Sequence, residues 1–446
     1  MNLQNLFDNV KLTENGDLSY KKVSSDVMLN ILFMTEYYSK HLDEVPHLEY
    51  TEIDKLFAMF IRDPRYGLGK RDLGRKLMSS AKVSFEDALL AGRADDLLFM
   101  EWESFDYYSM LDYLKAEIDK GNELVKKWMP RYSSKHLLLA RQIAKYWDMN
   151  KQQYGHFIKC NTTENKMSDH RWDDVEFEHV PSLAMIKYAK AFSTKAETKA
   201  RYAKYLEDVK AGKKDLHVAT TSVYDIYRNR KKIDADLFFD KLEKISGSWI
   251  PIVDSSGSMQ DSNDSYGKAM AIGHYLAKCS TYAPNKVISF SSHPQLITLG
   301  DASIRPRRFW GYEEETKGNS IYEKEIASMH TGDCSNTDFG AVMDLLSHLD
   351  GDMPEYLVVL SDMEFDCGSS LSKEATMQLF KEKGYNTKIV WWNLNAYHTT
   401  APEMDNKGNI FLSGYNPMLL KFLEAGFDGN AFLYKLLSEY SKAIQK

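Results

Sequence analysis

The stretch Trp249–Met259, WIPIVDSSGSM, constrains the fold more than any other in the chain. Trp249-Ile250-Pro251-Ile252-Val253 is short, apolar and partly β-branched, and it runs directly into Asp254-Ser255-Ser256-Gly257-Ser258. An apolar run that ends in a polar turn reads as a buried strand of an α/β sheet. The turn places oxygen-bearing side chains at alternate positions, Asp254, Ser256 and Ser258, and Gly257 permits a tight backbone path. One carboxylate and two hydroxyls converging on a point suit a hard cation, Mg²⁺ or Mn²⁺, which prefers oxygen ligands. A capped strand-to-helix turn without any ion uses the same residue types.

That strand opens a change of pattern. From Gly247 onward, strand and helix patterns alternate, which marks a doubly wound, Rossmann-like sheet. Strands are predicted near 249–253, 287–291, 295–299, 356–361, 388–394 and 409–413. Helices are predicted near 265–279, 321–329, 338–349, 370–384, 416–425 and 430–445. Between residues 20 and 245 almost nothing has period two. Candidate helices there include Ser24–Lys40, Thr51–Arg62 with a Thr51-x-x-Asp54 capping box, Ser104–Asp119, His136–Tyr146, Ala189–Lys210 and Val223–Leu242. Asn15-Gly16 marks a turn in a weakly patterned start. The fold expected is therefore α plus α/β. Residues 1–246 form an all-helical, HEAT-like array of about ten helices without a strict repeat, and residues 247–446 form the α/β domain.

Composition supports an ordinary globular chain, 43% apolar and 27% charged over 446 residues. No apolar run approaches the 18 residues of a membrane span, and MNLQNLFDNV lacks a basic-then-apolar leader. Cys160, Cys279, Cys334 and Cys367 show no CxxC spacing, which argues against structural zinc and for reduced thiols in the cytoplasm. Cys334 and Cys367 both flank the loops of the cation motif. Charge is uneven. Residues 1–246 hold 40 Lys and Arg against 39 Asp and Glu, and the remainder holds 17 against 25.

Within the neutral first part the basic residues cluster. Arg62, Arg65, Lys70, Arg71 and Arg75 surround a loop with Pro64, Gly67 and Gly69, and Lys127, Arg131 and Lys135 flank a second breaker, Pro130. The first loop is not a Walker A loop, since Pro64 fills the first Gly position and Arg71 replaces the Ser or Thr. Such clusters suit a phosphate backbone, with Arg62, Arg65, Lys70, Arg71, Arg75, Lys127 and Arg131 as candidate contacts, or else solvated charges paired to Asp63 and Asp72. An Mg²⁺-dependent hydrolase would draw on Asp254, Asp362, Glu364 and Asp366. No nucleophile–base pair stands in motif context, and the twelve His include no HExxH, so a non-enzymatic chain is the expectation.

Asp254-x-Ser256-x-Ser258 resembles the metal-ion-dependent adhesion site of von Willebrand factor A domains. That resemblance implies a Thr on a second loop, matched by Thr337 in Ser335-Asn336-Thr337-Asp338-Phe339-Gly340, and an Asp after a second central strand, matched by Asp362 after Glu355-Tyr356-Leu357-Val358-Val359-Leu360-Ser361. A helical half joined to such a domain resembles the Ro class of RNA-binding proteins with their TROVE domain. It implies small or single-stranded RNA as a partner, and the near-neutral helical half departs from that pattern. Arg62-Asp63, Lys127-Trp128-Met129-Pro130-Arg131, Val180-Pro181-Ser182 and Leu360-Ser361-Asp362-Met363-Glu364-Phe365-Asp366 also resemble an uncharacterised family of plants, large viruses and microbes. In the adhesion-site family the hydroxyls bind the ion directly and one Asp often acts through water. This implies an exchangeable position that takes a Glu or Asp from a protein partner.

Overall fold

The structure is a computed structural model. It describes residues 51–290, 293–301, 320–330, 339–348, 352–362, 386–395 and 409–427, with shorter pieces at 11–12, 18–19, 35, 38–39, 41–45, 48, 50, 382, 403–404, 436–438 and 440–442. A helix-rich part precedes a mixed, mostly parallel sheet. Lys11–Leu12 pairs antiparallel with Leu18–Ser19, so the first part is not wholly helical. The predicted helix Ser24–Lys40 lies mainly outside the described residues, although Thr35, Tyr38 and Ser39 are helical.

The helical part contains α1 (Glu52–Arg62), α2 (Arg71–Ser80), α3 (Phe85–Ala91), α4 (Ala94–Phe99), α5 (Ser104–Asp119), α6 (Glu123–Trp128), α7 (Leu137–Tyr146), α8 (Lys151–Phe157), α9 (Thr163–Ser168), α10 (Ser182–Thr194), α11 (Ala196–Lys210), α12 (Val223–Asn229) and α13 (Ala235–Lys241). The capping box at Thr51 forms as read, with the Thr51 hydroxyl accepting from the Asp54 amide. Two predicted helices are each split in two. Ala189–Lys210 breaks at Lys195, which is extended, because the Thr198 hydroxyl donates to the Phe192 carbonyl and fixes the bend. Val223–Leu242 breaks before Asp234, whose side chain accepts from the Leu237 amide and starts a new helix.

The sheet contains β1 (Trp249–Asp254), β2 (Lys286–Phe290), β3 (Gln295–Thr298), β4 (Tyr356–Ser361), β5 (Lys388–Asn393), β6 (Glu403–Met404) and β7 (Ile410–Ser413), in the order β3-β2-β1-β4-β5-β7-β6. The two outermost strands, β3 and β6, are antiparallel to their neighbours and the rest pair in parallel. Helices α14 (Ser265–Cys279), α15 (Ile321–Met329), α16 (Phe339–Ser347) and α17 (Met418–Glu424) belong to this part. Helix 370–384 falls outside the described residues apart from Glu382. Of 430–445 only 436–438 and 440–442 are described, and they are helical.

Side chains of β1 alternate between two cores. Trp249 and Val253 join the larger core with α14, whereas Ile250 and Ile252 face Phe339, Val342 and Leu346 of α16. A sheet buried on both faces explains the uninterrupted apolar runs in its strands. Gly273 is where α14 meets the sheet, because a Cβ there would lie 2.4 Å from Val253 Cγ2. The larger core continues into the helical part. There α12 packs on α14, and Asp236 accepts from the Ile321 and Tyr322 amides at 3.1 and 2.7 Å, capping α15 from a distance. Near the end of the chain, Tyr440 packs edge-on against Phe60 of α1.

Candidate functional site

From β1 the chain builds outward to β2 and β3 on one side, then crosses to β4, β5 and β7 on the other. The carboxyl ends of β1 and β4 therefore flank the crevice where doubly wound sheets hold ligands. Asp254 ends β1. Because Val253 pairs with Leu360, the last residue of β4, Ser361, stands beside Asp254 and its hydroxyl donates to Asp254 Oδ2 at 2.5 Å. The Ser256 amide donates to Oδ1 at 2.8 Å. Ser255 anchors the turn to β2 through its amide and hydroxyl, both donated to the Phe290 carbonyl.

Asp254 is completely buried, and Asp362, which follows β4, is nearly so. Burial pushes the Asp254 carboxyl up to about 6, the Asp362 charge pushes the same way, and the bonds from Ser361 and Ser256 pull it down. A buried carboxylate with raised affinity for a proton is also a site that gains from a cation. The hydroxyls fit one. Ser256 Oγ and Ser258 Oγ lie 3.0 Å apart, and adjacent ligands of an octahedral Mg²⁺ at 2.0–2.1 Å are separated by about 2.9 Å. Among the described residues no group of three His, Cys, Asp or Glu side chains converges, so an ion here relies on hydroxyls. Thr337, Glu364, Asp366, Cys334 and Cys367 lie outside the described residues.

The structure adds residues that sequence reasoning missed. Asp261 accepts from Asn263 N, Ser265 N and Ser265 Oγ, closing the loop after the serines. Asp264 has φ +55° and accepts from the Gly267 amide and, at 2.6 Å, from the Tyr224 hydroxyl of α12. Asn263 reaches the Asn395 carbonyl beyond β5. Asp261 and Asp264 lie within ten residues of Asp254, a polar density visible in the sequence. Ser361 and Tyr224 are joined to the site only by strand register and helix docking.

The basic residues are largely paired with carboxylates, Arg65 with Asp63 and Arg75 with Asp72 as the alternative reading has it, and others with carboxylates farther along the chain. Arg62 is 2% exposed and bonds Asp96 Oδ2 through Nε at 2.9 Å, so no phosphate backbone reaches it. Asp96, fully buried, also accepts from Arg75 Nε at 2.7 Å and from the Arg93 amide at 2.8 Å. Arg71 pairs with Asp95 at 2.8 Å, Arg65 sits beside Asp63 and donates to the Leu90 carbonyl, and Lys127 pairs with Glu164 at 3.0 Å. Arg131 donates to Cys160 Sγ at 3.4 Å. Nor does the loop after α1 offer a phosphate cradle. The amides of Gly67, Leu68, Gly69 and Lys70 donate to Asp63, Phe60, Asp63 and Ile61 carbonyls, and a Cβ on Gly67 would lie 1.9 Å from the Phe60 oxygen. The glycine is there for helix–loop contact.

Two family patterns of unknown function match the chain, DUF7788 over residues 248–434 and DUF2828 over residues 140–254. An uncharacterized protein of Acanthamoeba polyphaga mimivirus is 26% identical over 338 residues, covering 67% of this chain; the match spans 57% of that protein's length. The crystal structure of the Ro (RSR) protein of Deinococcus radiodurans superposes with a TM-score of 0.40 at 12% identity, covering 91% of this chain and 94% of that one. No helix among the described residues is long and apolar enough to cross a membrane.

Proposed function

We propose that the chain is a non-enzymatic scaffold. On this reading its α/β part is a von Willebrand factor A-like domain that holds Mg²⁺ or Mn²⁺ through Asp254, Ser256, Ser258, Thr337 and Asp362. The observation that carries this reading is the buried, uncompensated Asp254 at the strand crossover with two hydroxyls 3.0 Å apart beside it. A shell of two carboxylates and neutral hydroxyls leaves water on a dication, and an Asp or Glu of a protein partner completes it. The TROVE-like helical part supplies the second function, binding of small or single-stranded RNA. That assignment rests on the exposed basic side chains that remain after Arg62 is set aside.

Calorimetry with MgCl₂ and MnCl₂ tests the ion. Asp254→Ala is expected to abolish the binding heat with helical content unchanged, and wild-type affinity in that variant would remove the assignment. Partner capture with and without EDTA tests recruitment, since partners are expected to be lost under chelation and in Asp254→Ala alike. A purely protein-binding module is the second reading. It is favoured by the internal pairing of Arg62 and Arg75, which leaves fewer cations for phosphates. Absence of RNA binding at low salt would select it.

A further inference from the structure

The two basic stretches, more than fifty residues apart in sequence, meet at one cleft of about 620 Å³ between α2, α4 and the α6–α7 connection. Its lining holds five Lys or Arg against two Asp, an excess of positive charge in a chain that is acidic overall. Arg71 is 42% exposed there; its Nη2 pairs with Asp95 at 2.8 Å and its Nε lies 3.8 Å from Asp96, so the planar fork keeps further N–H donors for an anion. Lys135 is exposed, and neither it nor Arg131 pairs with a carboxylate among the described residues. Crowding of like charge is felt by neighbouring Arg93, whose guanidinium is held below its usual range by burial and then by Arg71 and Arg62.

The same cleft has an aromatic wall. Phe99 is 39% exposed, and its ring lies 4.8 Å from that of His136. Trp128, half-buried, carries the Arg93 guanidinium 4.1 Å over its ring. Cations that fit a phosphate beside rings that fit a base describe a nucleotide rather than a bare anion or an acidic peptide. The volume is ample for one nucleotide.

We infer that this cleft binds one nucleoside monophosphate unit, its phosphate on Arg71, Arg131 and Lys135 and its base against the Phe99–His136–Trp128 wall. The inference deepens the RNA-binding reading by giving it a site, and the unit arrives either as a free nucleotide or as part of a single strand.

The experiment titrates the full chain with adenosine 5′-monophosphate, inorganic phosphate and a ten-residue oligoadenylate RNA, reading Trp fluorescence and calorimetric heat. Lys135→Glu and His136→Ala are compared with wild type after circular dichroism shows both to be folded. The monophosphate is expected to bind at least tenfold tighter than inorganic phosphate, and each variant to weaken it at least fivefold. For RNA, Lys135→Glu is expected to lower the slope of log affinity against log salt by about 0.7. Phosphate binding as tightly as the nucleotide, or nucleotide affinity unchanged in both variants, overturns the inference. RNA bound equally by wild type and variants, with no monophosphate binding, also overturns it while leaving the RNA reading intact. Monophosphate bound and lost in the variants, with no RNA bound by wild type, supports the cleft as a free-nucleotide site and removes the RNA reading.

Discussion

Two fully buried carboxylates, Asp96 in the helical part and Asp254 at the sheet edge, occupy opposite electrostatic environments. Asp96 touches Arg62 and Arg75 and accepts the Arg93 amide. Its charge is matched by the protein, so the cluster is complete as it stands and its purpose is to fasten α1, α2 and α4 together. Asp254 is met by an amide and a hydroxyl, and the charged side chain acting on it is another carboxylate, Asp362. Nothing in that set neutralises it. A buried charge that the fold leaves uncompensated costs stability unless something from outside supplies the opposite charge. Basic residue types drew attention to the first cluster in the sequence. Charge balance is what the proposed cation site rests on at the second.

The strongest way to break this comparison is to remove Asp96. Asp96→Ala leaves Arg62 buried without its partner, and unfolding by urea is expected to show a loss of about 3–5 kcal/mol. A loss below about 1 kcal/mol would mean that the pair is not what holds these helices. Asp254→Asn is expected to do the reverse in metal-free buffer. Holding the carboxylate ionised at pH 8 costs up to about 3 kcal/mol for a carboxyl moved from its ordinary range to about 6. The variant is therefore expected to melt higher than wild type without cation and to show no further rise with MgCl₂, whereas wild type rises. A variant that melts lower under both conditions would make Asp254 a structural residue like Asp96.

The pH dependence sharpens the same point. The folded carboxyl of Asp254 titrates near 6, above its unfolded value near 4, so the metal-free fold holds this proton more tightly. That stabilisation is full below about pH 4 and is lost as pH rises through 6. Thermal melts in EDTA are expected to decline across this window more steeply for wild type than for Asp254→Asn, and saturating Mg²⁺ to flatten the wild-type decline. Parallel curves for the two proteins would show that another group sets the pH dependence. A smaller effect tests how the two parts are joined. Asp236→Ala removes the distant cap of α15 and is expected to cost about 1 kcal/mol in urea, with nucleotide or RNA binding unmoved. Lys135→Glu, exposed and unpaired among the described residues, is expected to shift stability by no more than about 0.5 kcal/mol.

Much of the architecture was legible in the chain itself. The apolar runs at 249–253 and 356–361 are β1 and β4 almost to the residue, and the predicted helices 265–279 and 321–329 coincide with α14 and α15. Local patterns sufficed because strand burial, helix periodicity and the Thr51 capping box are written within a few residues of one another. Where the reading ran helices together, at Lys195 and before Asp234, the break depends on single side-chain bonds that compete with helical pairing.

The chain by itself also determined which residues end β1 in a cation-like turn: the order Asp254, Ser256, Ser258 is a property of consecutive positions. Tertiary structure alone decided that Ser361 braces Asp254, that Tyr224 reaches Asp264 from another helix, and that Arg62 is sealed against Asp96. It also brought Arg71, Lys135 and Phe99 to a common cleft. Those are pairings between positions tens to more than a hundred residues apart. A charge pattern records which ions a segment carries, but whether an ion is spent inside the fold or left for a ligand depends on which opposite charge the packing places beside it.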